Sequence, residues 1–428
     1  MNETQQCITR STCRVCGASN LTPIWSLGEL YVSDFLGPGE ESAARKFPLE
    51  LMLCNAKNGG CGLLQLKHTV SAETLYRNYW YRSGMNKTMT DELQGIARTA
   101  ESLVNLEPGD FVMDIAANDG TLLRGYTTSG INLTGYEPAK NLAQYNPVST
   151  RRIFQDFFDA EPWKKEFGDQ KAKIITAIAM FYDLEDPNKF VSDVAELLDP
   201  EGIFIVQMMS LPLMLKQNAF DNICHEHLEY YSLLAMENLL RRHNLEVFDV
   251  ALNDINGGSF RLYMRHARKG KTVKVPPEAE GRVKALREHE AELGLNDQPV
   301  YDKFAAEVEK MKEQAQDFIK KEVTGGKKVY VYGASTKGNT LLQYYGLDNK
   351  LITAAAERNP DKWGKKTVGT MIPIISEDQA RKEKPDYFLV LPWHFIKEFK
   401  ERERDYLQGG GKFIIPLPQF GIVDQFLA

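Results

Sequence analysis

The strongest restriction on the fold is a rhythm of short apolar runs between residues 91 and 270: "DFVMDIAA", "INLTGYEP", "AKIITAIAM" and "GIFIVQMM". Each has the length of a strand, and helical patterns lie between them. That rhythm predicts a parallel sheet with helices on both faces, an α/β domain. Further on, "LEVFDVALND" and "GSFRLYMRH" flank Gly257 and Gly258 and predict a closing hairpin.

Three other segments frame this one. Residues 8–90 hold four of the six cysteines. Residues 271–325 are charged and helical, with a break at 294–299, and are expected to form a helical connector. Residues 326–428 begin with "KKVYVYGASTKGNTLL" and add "LITAAAE", "YFLVLPW" and "KFIIPL", the strands of a second, smaller α/β unit.

A chain of 428 residues with 43% hydrophobic and 26% charged content can bury several cores. The net charge of -6 argues against nucleic acid as the main partner. No run of 18 apolar residues predicts a membrane span, and the start "MNETQQCITRSTC" lacks the apolar stretch of a secretory signal. The expectation is a cytoplasmic protein, monomeric or weakly self-associating, with thiols rather than disulfides.

Cys13 and Cys16 form a Cys-x2-Cys-Gly knuckle, and Cys54 and Cys61 follow near the end of the segment. Four thiolates complete a closed tetrahedral zinc site, which is structural because no position stays open. A module of this size has a thin core of its own and gains much from a metal.

"FVMDIAANDGTLLRGY" reads as strand, small-residue turn, helix. Asp114 ends the strand; Ala116, Ala117 and Gly120 let a ligand approach the backbone, and Asn118 is a further cofactor-binding candidate. Glu137 ends the next strand and can accept two ribose hydroxyls, and Asp156 in "FQDFF" could take an adenine amino group. The motif is not GxGxxG, so phosphate cradling is weak here. The set suits S-adenosylmethionine, a ligand cationic at sulfur and at its amino group. A nicotinamide-dependent dehydrogenase is the rival, and a non-catalytic docking module a third reading. In the C-terminal unit, Lys337 lies between Gly333 and Gly338, with Asn339 expected to begin the helix. Such a turn draws a diphosphate. Arg358, Trp393 and His394 follow later strands, Trp393 being open to stacking on a ligand or to core packing.

The blocks "CRVCG", "YWYRSGMNKTM", "ANDGTLL", "CHEHLEYYSL", "NGGSFRLY", "YGASTKGNTLL", "RNPDKWGKKTVGTMIPI" and "LPWHF" occur in one order over nearly the whole chain. Together they resemble the sugar C-methyltransferases that act on nucleotide-linked 4-keto-deoxysugars. The resemblance implies a small zinc-binding domain, a class I methyltransferase domain and a C-terminal Rossmann-like domain. It also implies S-adenosylmethionine as donor, a thymidine diphosphate sugar as acceptor, and methylation beside the ketone. By the same resemblance His227 is the base, with Glu226 beside it, and Tyr79 and Tyr81 enter the pocket. Three positions depart from the family pattern. Cys224 stands where a tyrosine is usual, Asn256 where a histidine often precedes the glycine pair, and Tyr182-Asp183 where many members carry a histidine.

Overall fold

The computed structural model describes residues 7–40, 44–77, 79–145, 150–268 and 272–424. Its centre is a seven-stranded sheet. In spatial order the strands are Leu245–Asn253, Ser259–His266, Leu198–Met209, Ala172–Ile178, Phe111–Ile115, Asn132–Tyr136 and Arg152–Phe154. The last five run parallel, and the first two form the expected antiparallel hairpin at one edge. Every residue of Phe111–Ile115 is buried, as two-sided cover requires.

Helix Lys87–Leu103 packs on this sheet through Met89, Leu93, Ile96, Ala97, Ala100 and Leu103, one stripe at helical spacing. Asn86 caps it, its side chain accepting from the Met89 N–H at 3.1 Å. One departure from expectation lies against this helix. The stretch after Gly120 forms only a 3-10 turn, Leu123–Gly125, in place of a helix. Gly125 lies against Gln94 and Ala97, where an added Cβ would meet the Gln94 Cα at 2.7 Å.

The N-terminal unit is a small antiparallel sheet of Thr22–Tyr31, Lys46–Leu53 and Leu64–Leu66. Its fourth strand comes from elsewhere: Glu229–Tyr230 pairs with Leu64–Leu66, and the Leu66 N–H donates to the Leu228 carbonyl at 2.9 Å. A second short pairing joins Phe35–Leu36 to Lys366–Thr367 of the C-terminal unit. That unit is a six-stranded sheet, parallel except for its last strand, Gly421–Val423. Helices Ala279–Leu293 and Gln298–Thr324 connect the two α/β units. The first is more than a solvated face, because its buried Glu290 accepts from the Leu233 and Leu234 N–H groups that open helix Leu233–Arg241. No helix among the described residues is long and apolar enough to cross a membrane.

Candidate active site

Asp114 lies one residue before the end of strand Phe111–Ile115. Its Oδ1 accepts from the Thr176 hydroxyl at 2.6 Å, and burial pushes its carboxyl up to about 7. Beyond it Ala116, Asn118 and Gly120 have φ of 58°, 53° and 74°. Left-handed backbone costs a non-glycine residue roughly 1–2 kcal/mol, so two such residues in one short turn make it a strained loop. Glu137 is buried at the end of the next strand. Its oxygens accept from the Asn118 and Ala139 N–H groups, each at 2.7 Å, and each oxygen has a further lone pair. Burial raises its pKa.

Residues 81–84 close over this loop. Asn118 donates to the Tyr81 carbonyl at 3.1 Å, and the Gly84 N–H donates to Asp119 at 2.8 Å. The donor set fits a ligand with an ammonium for Asp114 and vicinal hydroxyls for Glu137. Asp156 stands apart from them: its side chain is 64% exposed and pairs with Arg77 at 3.1 Å.

The four predicted cysteine ligands converge. All four Sγ atoms lie within 4.8 Å of one another, with Cys13–Cys61 at 3.5 Å and Cys16–Cys54 at 3.3 Å. Four sulfurs at a Zn–S distance of about 2.3 Å sit roughly 3.8 Å apart, so the cluster has the dimensions of a four-cysteine zinc site. Arg14, inside the knuckle, is 3% exposed and donates to the Leu66 carbonyl and the Thr69 hydroxyl at 2.5 and 2.6 Å.

Residues 222–230 have little regular structure and are all buried. His225 donates its Nε2 proton to the Phe47 carbonyl at 3.0 Å, and burial pulls its pKa down to about 4. It fastens the segment to the N-terminal unit. His227 places Nδ1 at 2.8 Å from the Asn222 carbonyl. A carbonyl only accepts, so the proton is on Nδ1 and Nε2 keeps its lone pair. Tyr182 lies against the imidazole at 4.2 Å between ring centroids. Burial, with the charge of Lys337 second, pulls His227 down to about 3. Glu226 has one oxygen, Oε2, fully enclosed without a partner, and burial raises its pKa. Burial also raises the Cys224 thiol, with the charges of Glu226 and Asp183 adding to it.

Tyr79 lines the same space as Glu226. Tyr81 is 41% exposed and belongs instead to the cover of the cofactor loop. Sequence reasoning passed over Tyr76, whose hydroxyl donates to the Glu226 carbonyl at 3.0 Å. The signal was its place at the head of the same aromatic run.

From the C-terminal unit, Lys337 reaches both the Asn222 side chain at 3.2 Å and the Asn256 carbonyl at 3.3 Å. Lys337 sits in the first turn of helix Thr336–Tyr345, which begins three residues earlier than Asn339 because Ser335 caps it onto the Gly338 N–H. Asn339 is buried and donates to the Asp34 carbonyl at 3.1 Å. Asn256 adopts φ 55° before the two glycines. Trp393 is buried, packs on Gly257 and donates to Asp221 at 3.2 Å. His394 has an enclosed Nδ1 without a partner, and burial with the Lys337 charge holds its pKa well below the usual imidazole value. Arg358 is exposed on a bend. A cleft of about 800 Å³ opens between the units, with Asp34, Tyr79, Arg82, Glu226, Asn359 and Lys365 among its lining. Arg82 stacks on Tyr145 at 3.7 Å there.

The strand order, the edge hairpin and a ligand loop at the carboxyl ends of the central strands define a class I methyltransferase that uses S-adenosylmethionine, here joined to a structural zinc module. Family models match in the same arrangement: a "Putative zinc binding domain" at residues 13–76, a methyltransferase domain at 81–250 and a C-methyltransferase C-terminal domain at 254–418. C-methyltransferase NovU of Streptomyces niveus is 30% identical over 411 residues, 95% of either chain. The chain belongs to this C-methyltransferase family. Among solved structures, magnesium protoporphyrin IX methyltransferase from Synechocystis PCC 6803 matches 42% of this chain and 86% of its own, with 13% identity and a TM-score of 0.32. An S-adenosylmethionine-dependent methyltransferase from Clostridium acetobutylicum ATCC 824 matches 42% and 92%, with 12% identity and a TM-score of 0.30.

Proposed function

We propose that this enzyme methylates the carbon beside the ketone of a nucleoside-diphosphate-linked keto-deoxysugar, thymidine diphosphate being the first carrier to test. The observation that carries the proposal is His227, a buried imidazole fixed through Nδ1 on the Asn222 carbonyl and next in the chain to Glu226, which lines a large cleft. Carbon is a poor nucleophile until a neighbouring carbonyl acidifies its C–H bond. His227 Nε2 takes that proton, and a base positioned this way contributes roughly 10²–10⁴-fold. Bound S-adenosylmethionine supplies an electrophilic methyl group on a sulfonium. The carbon that His227 deprotonates would be the nucleophile for that methyl group.

In the same reading Asp114, Ala116, Asn118, Gly120 and Glu137 hold the cofactor under a cover that includes Tyr81. Glu226 and Tyr79 surround the reacting atoms, and Asp156, paired with Arg77, takes no part. Cys224, Asn256, Lys337, Asn339, Arg358, Trp393 and His394 serve the acceptor side. Lys337 has a double part. Burial first, and the Lys337 charge second, lower the basicity of His227. A diphosphate that engages Lys337 would offset the second of these causes. Six thiols in one chain favour a reducing, cytoplasmic setting.

The test is a mass-spectrometric screen of nucleotide-linked keto sugars with S-adenosylmethionine. The expected product is heavier than the acceptor by one CH2 unit. Failure of every keto sugar, with cofactor binding intact by calorimetry, overturns the acceptor class. Absence of cofactor binding overturns the site assignment as well.

A further inference from the structure

Asp183 lies where the chain leaves the central strand Ala172–Ile178, in the 3-10 turn Phe181–Asp183. This turn is fastened to the segment that carries His227. The Leu228 N–H donates to the Tyr182 carbonyl at 2.8 Å, and the Tyr182 ring rests on the imidazole. The residue keeps some exposure, while its Oδ1 is fully enclosed and has no hydrogen-bond partner. Glu226, which lines the cleft, likewise has an enclosed oxygen without a partner.

The titratable groups that interact with Asp183 by charge are phenols, acids and a thiol, namely Tyr79, Tyr182, Tyr230, Glu226, Glu229 and Cys224, together with Tyr76, whose hydrogen bond to Asp183 works against the upward shift of its pKa. A carboxylate enclosed among such groups, with an oxygen unpaired, carries a large desolvation cost; a neutral carboxyl carries far less. Two neighbouring carboxyls divide the roles, one ionising and one keeping its proton. Desolvation, then the charges of Glu226 and Glu229, raise Asp183 well above the usual carboxylate range.

We propose that Asp183 is a further catalytic residue: a neutral carboxylic acid whose O–H donates to the acceptor's ketone oxygen as negative charge gathers there. The inference rests on the keto-sugar reading and adds the donor that reading lacks. As His227 removes the C–H proton, that bond's pair becomes the C=C bond and the carbonyl π pair moves to oxygen. Asp183 hydrogen-bonds to this oxygen and retains its proton. When the carbon takes the methyl group the carbonyl reforms, and His227 returns its proton to solvent.

Asp183→Asn keeps the size and an N–H donor, and Asp183→Leu removes the donor. With the acceptor found in the screen, D183L should lower kcat about 10²–10³-fold, the usual effect of losing one oxyanion donor. D183N should retain most of the activity, with unchanged cofactor affinity for both variants. Wild-type kcat should fall at alkaline pH as Asp183 ionises, and D183N should lack that limb. A second measurement needs no acceptor. The infrared difference between 13C-aspartate-labelled wild type and D183N should show a neutral carboxyl at pH 7. A carboxylate band there, or a D183N as inactive as D183L, overturns the proposal. Failure of all keto sugars with a neutral band present counts against the acceptor class and leaves Asp183 as a donor to some other oxygen.

Discussion

The cofactor loop and the acceptor segment stand side by side and are built on opposite principles. Residues 114–120 and Glu137 come from two adjacent strands of one sheet, and backbone N–H groups of that sheet's own turns hold the Glu137 carboxylate. Residues 222–230 belong to the same domain in sequence, yet all three units hold them. The N-terminal sheet takes up Glu229–Tyr230 as a strand and Phe47 holds His225. Lys337 grips Asn222 from the C-terminal unit. On the proposed assignment the Asp114–Glu137 framework comes from the central sheet, with residues 81–84 as its cover, while the acceptor segment draws on all three units. Cofactor binding and methyl transfer should separate under mutation.

The largest expected break between the two is His227→Ala. Loss of the base should lower kcat by roughly 10²–10⁴-fold, with cofactor affinity by calorimetry unchanged. A variant that weakens cofactor binding as much as turnover would show that the regions are one site. Next in size is Arg14→Met. Arg14 sits between two cysteine ligands, and the Glu229 charge offsets part of the burial cost of its guanidinium. Breaking such a buried arrangement costs about 3–5 kcal/mol. The expected result is a lower unfolding midpoint together with a fall in kcat beyond the loss of folded protein, at unchanged zinc content and cofactor affinity. If only stability changes, the zinc module is a passive appendage.

A smaller effect comes from pH. Asp114 has its pKa raised to about 7, chiefly by burial. Its ionised form is the one that pairs with an ammonium. Cofactor affinity should rise with pH up to about 7 and level off above, by no more than roughly tenfold per pH unit. Stability without cofactor runs the other way. A carboxyl raised in the folded state stabilises below its unfolded pKa and loses that contribution as pH rises through the folded value. Calorimetry from pH 5.5 to 8 reads the first, and Asp114→Asn should flatten it.

What was legible in the sequence follows the same division. The central strands announced themselves because a fully buried parallel strand is an unbroken apolar run, and the Gly257-Gly258 hairpin because its turn demands glycine. The four cysteines were readable because metal ligation fixes residue type. Hidden features depend on partners far along the chain. A two-residue strand such as Glu229–Tyr230 has no period to detect, and only folding reveals that it completes the N-terminal sheet. Tyr76 acquires meaning from a carbonyl 150 residues away. The expected helix after Gly120 is a 3-10 turn whose Gly125 packs directly on Lys87–Leu103, a contact that no local pattern announces.

The finest test of the division lies at Trp393. Its ring fills the seam against Gly257, and its one polar atom donates to Asp221. Asp221 precedes Asn222, whose carbonyl holds His227 and whose side chain holds Lys337. Trp393→Phe keeps most of the packing and removes the donor, leaving one buried carboxylate less satisfied, a cost of about 1–3 kcal/mol. That cost falls on the docking of the C-terminal unit. The acceptor KM should rise several-fold, cofactor affinity should not move, and kcat at saturating acceptor should fall little, because on the proposed reading a diphosphate at Lys337 would draw the seam together. An unchanged KM with a lower kcat would instead mean that Trp393 acts through the orientation of His227. Trp393→Phe combined with Lys337→Ala separates the two outcomes by whether their effects add.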